Sequence, residues 1–288
     1  MPDIGYLNGR FLPLAEIAIS PDDRGFLFGD GVYEVIRAYH GVPVFWEEHY
    51  SRLVRSAAEI QISFHIEAQD FCSLLLNGLQ QSGYSEGKIY IQLTRGVAPR
   101  EHGFPLNTEP TVFISFRELG ALPMEMIKQG VKIITVPDIR WDRCDIKSLN
   151  LLPNVLAKQK AKDANVFEPI FVRDGLVIEG ATSNIFIVKE GRLRTPARNQ
   201  FVLAGVTQQQ VINVAQEHGQ KVKFDQITLE DLCEADEVFL VGTTIEILPV
   251  VNVDGQGIKD ETPGPITSTL HEQFVALVSQ LSSPIISE

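Results

Sequence analysis

Three dipeptides constrain this chain more than any other feature. Asn8-Gly9, His40-Gly41 and Asp174-Gly175 each separate two short runs of strand-forming residues. A two-residue link that tolerates positive φ joins antiparallel neighbours, so each predicts a hairpin. Tyr6-Leu7 and Arg10 to Leu12 flank the first, Val32 to Tyr39 and Val42 to Phe45 the second, and Pro169 to Val172 and Leu176 to Ile178 the third. Between the first two, glycines punctuate the chain at Gly25, Gly29 and Gly31.

Helical periodicity follows. Tyr50, Leu53, Val54, Ala57 and Ile60 share one face, and Phe71, Leu74, Leu75 and Leu79 share another before Gly83. Ile89, Ile91 and Leu93 then alternate with polar or aromatic neighbours as a half-buried strand does, and Val112 to Phe116 reads as its partner. The intervening stretch 96–109 holds Pro99, Arg100, His102, Gly103 and Pro105. A loop of that length inside a folded domain is more often functional than ornamental.

The pattern weakens from Leu119 to Gln129 and resumes as a strand at Val131 to Val136, which places a domain boundary here: 1–120 and 121–288. The second half predicts helices at Asn154 to Ala164 and at Val206 to His218, the latter stopped by Gly219. Strands are predicted at Asn184 to Val188 and Glu237 to Val241, and Thr228-Leu229-Glu230-Asp231 has the form of a capping box. Leu270, Phe274, Leu277, Val278 and Leu281 close the chain as an amphipathic helix. Hairpins and clustered helices without regular βαβ alternation imply an α+β fold of two domains facing each other.

Composition narrows the function. With 288 residues, 44% of them hydrophobic, the chain can bury a sizeable core. A net charge of −12, with acidic residues spread along the chain, argues against a dedicated nucleic-acid or anionic-membrane partner. Cys72, Cys144 and Cys233 are odd in number and widely spaced, which suits neither a disulfide framework nor a zinc site but does suit a reducing compartment. No run approaches the roughly 18 apolar residues of a membrane span, so a cytoplasmic protein is expected. The histidines form no metal-ligand pattern, and the nucleophile-elbow, P-loop and dinucleotide signatures are absent.

Taken singly, the remaining polar residues say little. Lys147 lies in a polar stretch before a helix, and Glu179 ends a short apolar strand. Thr207 could cap the helix that follows, leaving the N–H groups of Val206 and Thr207 free for an anion. Thr243 follows a strand, and Arg52 could supply countercharge. Each fits an ordinary cap or surface position, and spacing does not bring them together.

Their context does. Phe28-Gly29-Asp30-Gly31-Val32-Tyr33-Glu34-Val35, Glu48-His49-Tyr50-Ser51-Arg52-Leu53, Lys147-Ser148-Leu149-Asn150, Glu179-Gly180-Ala181-Thr182-Ser183-Asn184-Ile185-Phe186 and Leu203-Ala204-Gly205-Val206-Thr207 occur in this order over nearly the whole chain. The series resembles the pyridoxal-phosphate aminotransferases of fold type IV. Within that class, Tyr33-Glu34-Val35 and Pro99-Arg100-Glu101-His102 resemble the D-amino acid enzymes most.

The resemblance implies a two-domain fold with the active site between the domains and the cofactor lysine in the larger C-terminal one. Lys147 would form a Schiff base with pyridoxal 5′-phosphate and exchange the substrate's Cα proton. Glu179 would pair with the pyridine nitrogen, and Arg52, Val206, Thr207 and Thr243 would hold the phosphate. Tyr33, Arg100 and His102 would grip the substrate α-carboxylate, the last two donated by the neighbouring subunit of a homodimer. The implied reaction transfers an amino group from D-amino acids such as D-alanine to 2-oxoglutarate with ping-pong kinetics. A branched-chain L-aminotransferase and an aminodeoxychorismate lyase of the same fold are the alternatives. Thr182 stands where many relatives have Ser, Gly242 where a phosphate-contacting Ser occurs, and Arg37 where Lys is frequent.

Overall fold

Asn8 and Gly9 take φ values of 44° and 94° in the computed structural model, which describes residues 3–283. Both are left-handed, as a two-residue hairpin link requires, and they join β1 (Ile4–Leu7) to β2 (Arg10–Pro13) in antiparallel register. The same pair of left-handed residues recurs at His40-Gly41 and Asp174-Gly175, and also at Glu190-Gly191 and Asp254-Gly255. Hairpins therefore dominate the local topology.

The described residues divide into two compact units. One holds residues up to Ala121 together with Ile146–Asn150 and those from Val278 onward; the other holds Leu122–Asp145 and Leu151–Leu277.

In the first unit, α1 (Arg24–Phe28), β3 (Gly31–Tyr39), β4 (Val42–Pro43), α2 (Trp46–Glu59), α3 (Ala68–Ser82), β5 (Gly87–Thr94) and β6 (Thr111–Glu118) follow the first hairpin. The six strands form one antiparallel sheet in the order β2-β1-β6-β5-β3-β4. Strand alternation sends Val32 and Ile36 of β3, Ile89, Ile91 and Leu93 of β5, and Ile114 and Phe116 of β6 to one face. There they pack with Leu53 and Ala57 of α2 and with Phe71, Leu75 and Leu79 of α3. The predicted helical stripes thus face the core, except at Val54, which is exposed. The other face of the sheet carries Tyr33, Tyr90 and Gln92, all half-buried; Tyr33 lies opposite Gln92.

The second unit contains α4 (Met124–Gln129), β7 (Val131–Pro137), α5 (Leu152–Asp163), β8 (Glu168–Arg173), β9 (Leu176–Gly180), β10 (Asn184–Lys189) and β11 (Arg192–Pro196). After these come α6 (Val206–Glu217), β12 (Val222–Asp225), α7 (Leu229–Cys233), β13 (Glu237–Gly242), β14 (Glu246–Val253), β15 (Gln256–Gly257) and α8 (Pro265–Leu281). Eight strands run in the order β12-β11-β10-β13-β14-β7-β8-β9, with β15 attached to β14. Ile187, Leu240, Leu248, Ile133 and Ile170 make the centre of its core. The capping box forms as predicted: Asp231 N donates to the Thr228 hydroxyl and Thr228 N to the Asp231 carboxylate.

Three features differ from expectation. The weak stretch before β7 contains α4, a helix of 6 residues between Pro123 and Gly130, too short to show a period. Two parallel crossovers sit among the hairpins, β7 to β8 and β11 to β12, bridged by α5 and α6. Lastly, Lys147 was expected with the C-terminal half, yet Ile146–Asn150 groups with the first unit. Its backbone explains why: Tyr33 N donates to Lys147 O at 2.9 Å, Leu149 N donates to Gly31 O at 3.0 Å, and Ile146 enters the first core. Among the described residues, no helix is long and apolar enough to cross a membrane.

Candidate active site

The lysine segment can lie against β3 because position 31 has no side chain. A Cβ on Gly31 would stand 2.5 Å from Leu93 O and 2.8 Å from Leu149 Cδ1, closer than real atoms pack. The bridge between Val32 and Ser148 then sets the register, and Lys147 Nζ comes to rest 4.3 Å from the centre of the Tyr33 ring. Tyr33 in turn stacks on Tyr90 at 5.8 Å between centroids. Burial pushes the Tyr90 phenol up to about 12, so it stays protonated and donates to Gln92.

Arg52 sits on the buried stripe of α2, facing Glu34 of β3. Its Nε and Nη2 donate to the two Glu34 oxygens at 2.7 and 2.8 Å, a fork-on-fork pair. His49 Nδ1 lies 2.8 Å from Glu34 Oε2. Burial raises the Glu34 carboxyl, but Arg52 and His49 outweigh it and hold the group well below the usual carboxylate range. Burial pushes His49 down, against the pull of Glu34 and with the charges of Arg52 and Lys147 adding to it. A neutral imidazole bonded to an ionised carboxylate carries its proton on Nδ1.

Arg100 and His102 stand exposed in the loop between β5 and β6, and the structure brings them together on one ring. The Arg100 guanidinium lies 5.1 Å from the centre of Phe28, and the His102 ring 5.3 Å from it. Tyr33 has its contacts elsewhere, with Lys147 and Tyr90.

Glu179, Val206, Thr207 and Thr243 belong to the second unit, where hydrogen bonds tie Glu179 to Asn184 and to the segment that leads into α6. Glu179 Oε2 accepts from Asn184 Nδ2 at 3.2 Å and from Leu203 N at 3.0 Å; Oε1 accepts from Arg140 Nη1 at 2.6 Å. The Asn184 amide also donates to Leu203 O. A Cβ on Gly205 would stand 2.0 Å from Asn184 Oδ1, so only glycine lets the start of α6 come this close. Gly205 is the N-cap of that helix and offers no side-chain acceptor, which leaves the first-turn amides, Val206 and Thr207 among them, suited to an anion. Asn184 pairs with Val241 across the sheet, two residues before Thr243.

Several of these partners have no local sequence signature. Arg140 is held by Asp138 through Nε and Nη2 and lies over Phe171 at 4.2 Å. Burial works against its charge, but Asp138 and Glu179 outweigh it and keep Arg140 firmly protonated. Glu168, fully buried, accepts from Thr182 N and from the hydroxyls of Thr182 and Ser183, and from Lys158. The Thr182 hydroxyl therefore faces Glu168, where a serine hydroxyl would do the same. A cavity of about 300 Å³ beside Tyr6, Phe64, His65 and Glu109 contains none of the predicted site residues.

Each unit by itself carries groups whose chemistry suits a part of pyridoxal phosphate: the second a helix start for a phosphate and a carboxylate for a ring nitrogen, the first an arginine for countercharge and an amine for an aldehyde. Comparison with known proteins agrees. Residues 31–253 match the model of the amino-transferase class IV family. The D-alanine aminotransferase of Bacillus licheniformis is 41% identical over 263 residues, covering 91% of this chain and 93% of the relative. That of Listeria monocytogenes serotype 4b is 42% identical over 279 residues, covering 95% and 96%. Among solved structures, the Escherichia coli branched-chain amino acid aminotransferase superposes with a TM-score of 0.91 at 26% identity, covering 100% of this chain and 98% of that one. A T.th. branched-chain amino acid aminotransferase, solved with pyridoxamine 5′-phosphate, gives 0.89 at 27%, covering 98% and 95%. With its fold and a family match over residues 31–253, the chain belongs to the class IV aminotransferases.

Proposed function

We propose that this protein is a pyridoxal-phosphate-dependent D-amino acid aminotransferase that moves the amino group of donors such as D-alanine to 2-oxoglutarate, giving a 2-oxo acid and D-glutamate. The observation that carries this reading is the identity of about 40% with D-alanine aminotransferases over more than nine tenths of the chain. The solved neighbours at 24–27% identity are mostly branched-chain enzymes, which makes L-leucine transamination the reading to exclude.

The residue roles follow from chemistry. When bound, pyridoxal phosphate supplies an electron sink for bonds broken at the substrate Cα. Lys147 Nζ would hold it covalently and, once displaced by the substrate amine, would carry the proton at the substrate Cα. Glu179 keeps the pyridine nitrogen protonated, with Arg140 holding the carboxylate in place. Arg52, the amides of Val206 and Thr207, and the Thr243 hydroxyl anchor the phosphate. Glu34 and His49 fix the Arg52 guanidinium for that purpose. Tyr33, Arg100 and His102 receive the substrate α-carboxylate.

A homodimer is part of the proposal, with Arg100 and His102 serving the neighbouring subunit's site. Its support lies beside those residues: Val97, Phe104, Leu106 and Phe26 are 50, 56, 91 and 77% exposed, an apolar surface suited to a second copy of the chain. The thiols of Cys72, Cys144 and Cys233 are all free, which supports the cytoplasm as its location.

The decisive experiment is a donor panel of paired enantiomers with 2-oxoglutarate, reading the chirality of the glutamate formed. D-alanine should react and yield D-glutamate, with a parallel-line ping-pong pattern. Reaction with L-leucine alone would reject the D-amino acid reading in favour of a branched-chain enzyme.

A further inference from the structure

The loop that carries Arg100 and His102 is exposed at its tip but anchored from below by a buried charge cluster. Arg24, 3% exposed, opens α1, and Asp23 caps that helix by accepting from Gly25 N at 2.8 Å. Arg24 N donates to Gly96 O at 2.9 Å at the root of the loop, and its side chain then reaches the tip. Nη1 donates to Glu101 O at 2.5 Å and Nη2 to His102 O at 3.4 Å. These carbonyls belong to the residues immediately after Arg100, so the guanidinium fixes the backbone that aims both side chains.

Asp30 sets the angle of that fork. Its Oδ2 accepts from Arg24 Nε and from Arg95 Nε, each at 2.8 Å, and its Oδ1 from Arg95 Nη2 at 3.0 Å. Arg95 is tied in turn to Ile60 O and Gln61 O, and its guanidinium lies 3.7 Å from the centre of the Phe104 ring, two residues beyond His102. Burial raises the Asp30 carboxyl, but the two arginines outweigh it and hold the group below its ordinary value, so the cluster stays charged at neutral pH. Phe28, at the end of the same α1, lies 4.8 Å from the Arg24 guanidinium and carries both Arg100 and His102. The Phe-Gly-Asp-Gly turn thus joins the ring beneath the clamp to the carboxylate that orients its anchor.

We infer that Arg24, oriented by Asp30, is a positioning residue for substrate-carboxylate recognition: it holds the Glu101–His102 peptide so that Arg100 and His102 meet the carboxylate. The inference rests on the proposed carboxylate role of those two side chains. A lysine at position 24 keeps the charge against Asp30 but cannot span both carbonyls as a planar fork does. The expected signature is therefore a loss of substrate binding without loss of fold or cofactor.

The test compares Arg24→Lys, Arg24→Met and Arg100→Ala as holoenzymes, measuring kcat and KM for D-alanine and 2-oxoglutarate, the pyridoxal phosphate dissociation constant and the melting temperature. Arg24→Lys should raise KM for both substrates by about 10-fold while the cofactor constant stays within about 2-fold, because small displacements of binding groups are costly. Arg24→Met should raise KM further. Unchanged KM in Arg24→Lys beside a raised KM in Arg100→Ala overturns the inference and leaves the clamp standing. Unchanged KM in Arg100→Ala removes the clamp itself. A parallel loss of melting temperature and cofactor affinity in Arg24→Lys, with KM unmoved, assigns Arg24 to folding alone and also overturns the inference.

Discussion

Arg140 presents Nη1 2.6 Å from Oε1 of Glu179, and both side chains are almost wholly buried. An ion pair of this kind is weak evidence for net stability, but removing one partner leaves an uncompensated charge in a low-dielectric interior. The pair thus fixes the geometry of the carboxylate more than it adds to the total stability.

Arg140→Met should therefore destabilise the protein by about 3 kcal/mol or more, the range for breaking a buried pair from one side. Urea denaturation of the apo protein measures this directly. The same variant should bind pyridoxal phosphate more weakly, as read by absorbance titration, while Arg143→Met, at a more exposed pair, should change stability by less than about 1 kcal/mol.

Lys147→Ala should abolish the covalent attachment of pyridoxal phosphate and keep the fold, because the segment is held by its backbone bonds to β3 and by Ile146. Borohydride reduction followed by peptide mass mapping should label Lys147 in the natural protein and no lysine in the variant. A reduced adduct on another lysine would show that the attachment site lies elsewhere.

Acid should weaken the first unit in two stages. His49 is depressed in the folded state relative to its ordinary 6.5, so the unfolded chain takes up the proton first. Stability is then full above that value and falls as pH drops below it. Glu34 is depressed from 4.5, so its contribution is present above that value and lost as pH falls further. Denaturation midpoints measured between pH 8 and pH 4 should decline from about pH 6.5. His49→Gln, which keeps a donor for Glu34, should remove the upper part of that slope.

Leu106→Glu should shift the proposed dimer towards monomer in light scattering, since Leu106 is 91% exposed and stands beside the proposed clamp. Transaminase activity should fall with the dimer fraction and recover at high protein concentration. A variant that remains dimeric and fully active would place the interface elsewhere.

Much of the architecture was legible because its signals are local. Asn8-Gly9 and Asp174-Gly175 fold as turns that their residues favour, and the stripe from Phe71 to Leu79 is buried because its spacing matches the helix. Pairings between distant segments left no such trace. Nothing near Lys147 indicates that its segment docks on Gly31 and Tyr33, more than a hundred residues earlier, and the parallel contact of β7 with β14 is equally silent. At the candidate site, Lys147 and Glu179 acquired meaning only through motif order. Glu34, His49 and Arg140 acquired theirs only from counter-ions elsewhere along the chain, and Arg24 from the Glu101 and His102 carbonyls, since a buried charge looks like a surface one until its partner is seen.

The ring of Phe28 also has an engineering consequence. Because Arg100 and His102 both rest on it while Arg24 holds the loop at Gly96 O and at the carbonyls of Glu101 and His102, the exposed side chains from 97 to 105 sit on a backbone that is already mounted. Libraries aimed at amines that lack an acid group should diversify those side chains and spare Arg24, Asp30 and Arg95, and the lysine segment need not be touched at all.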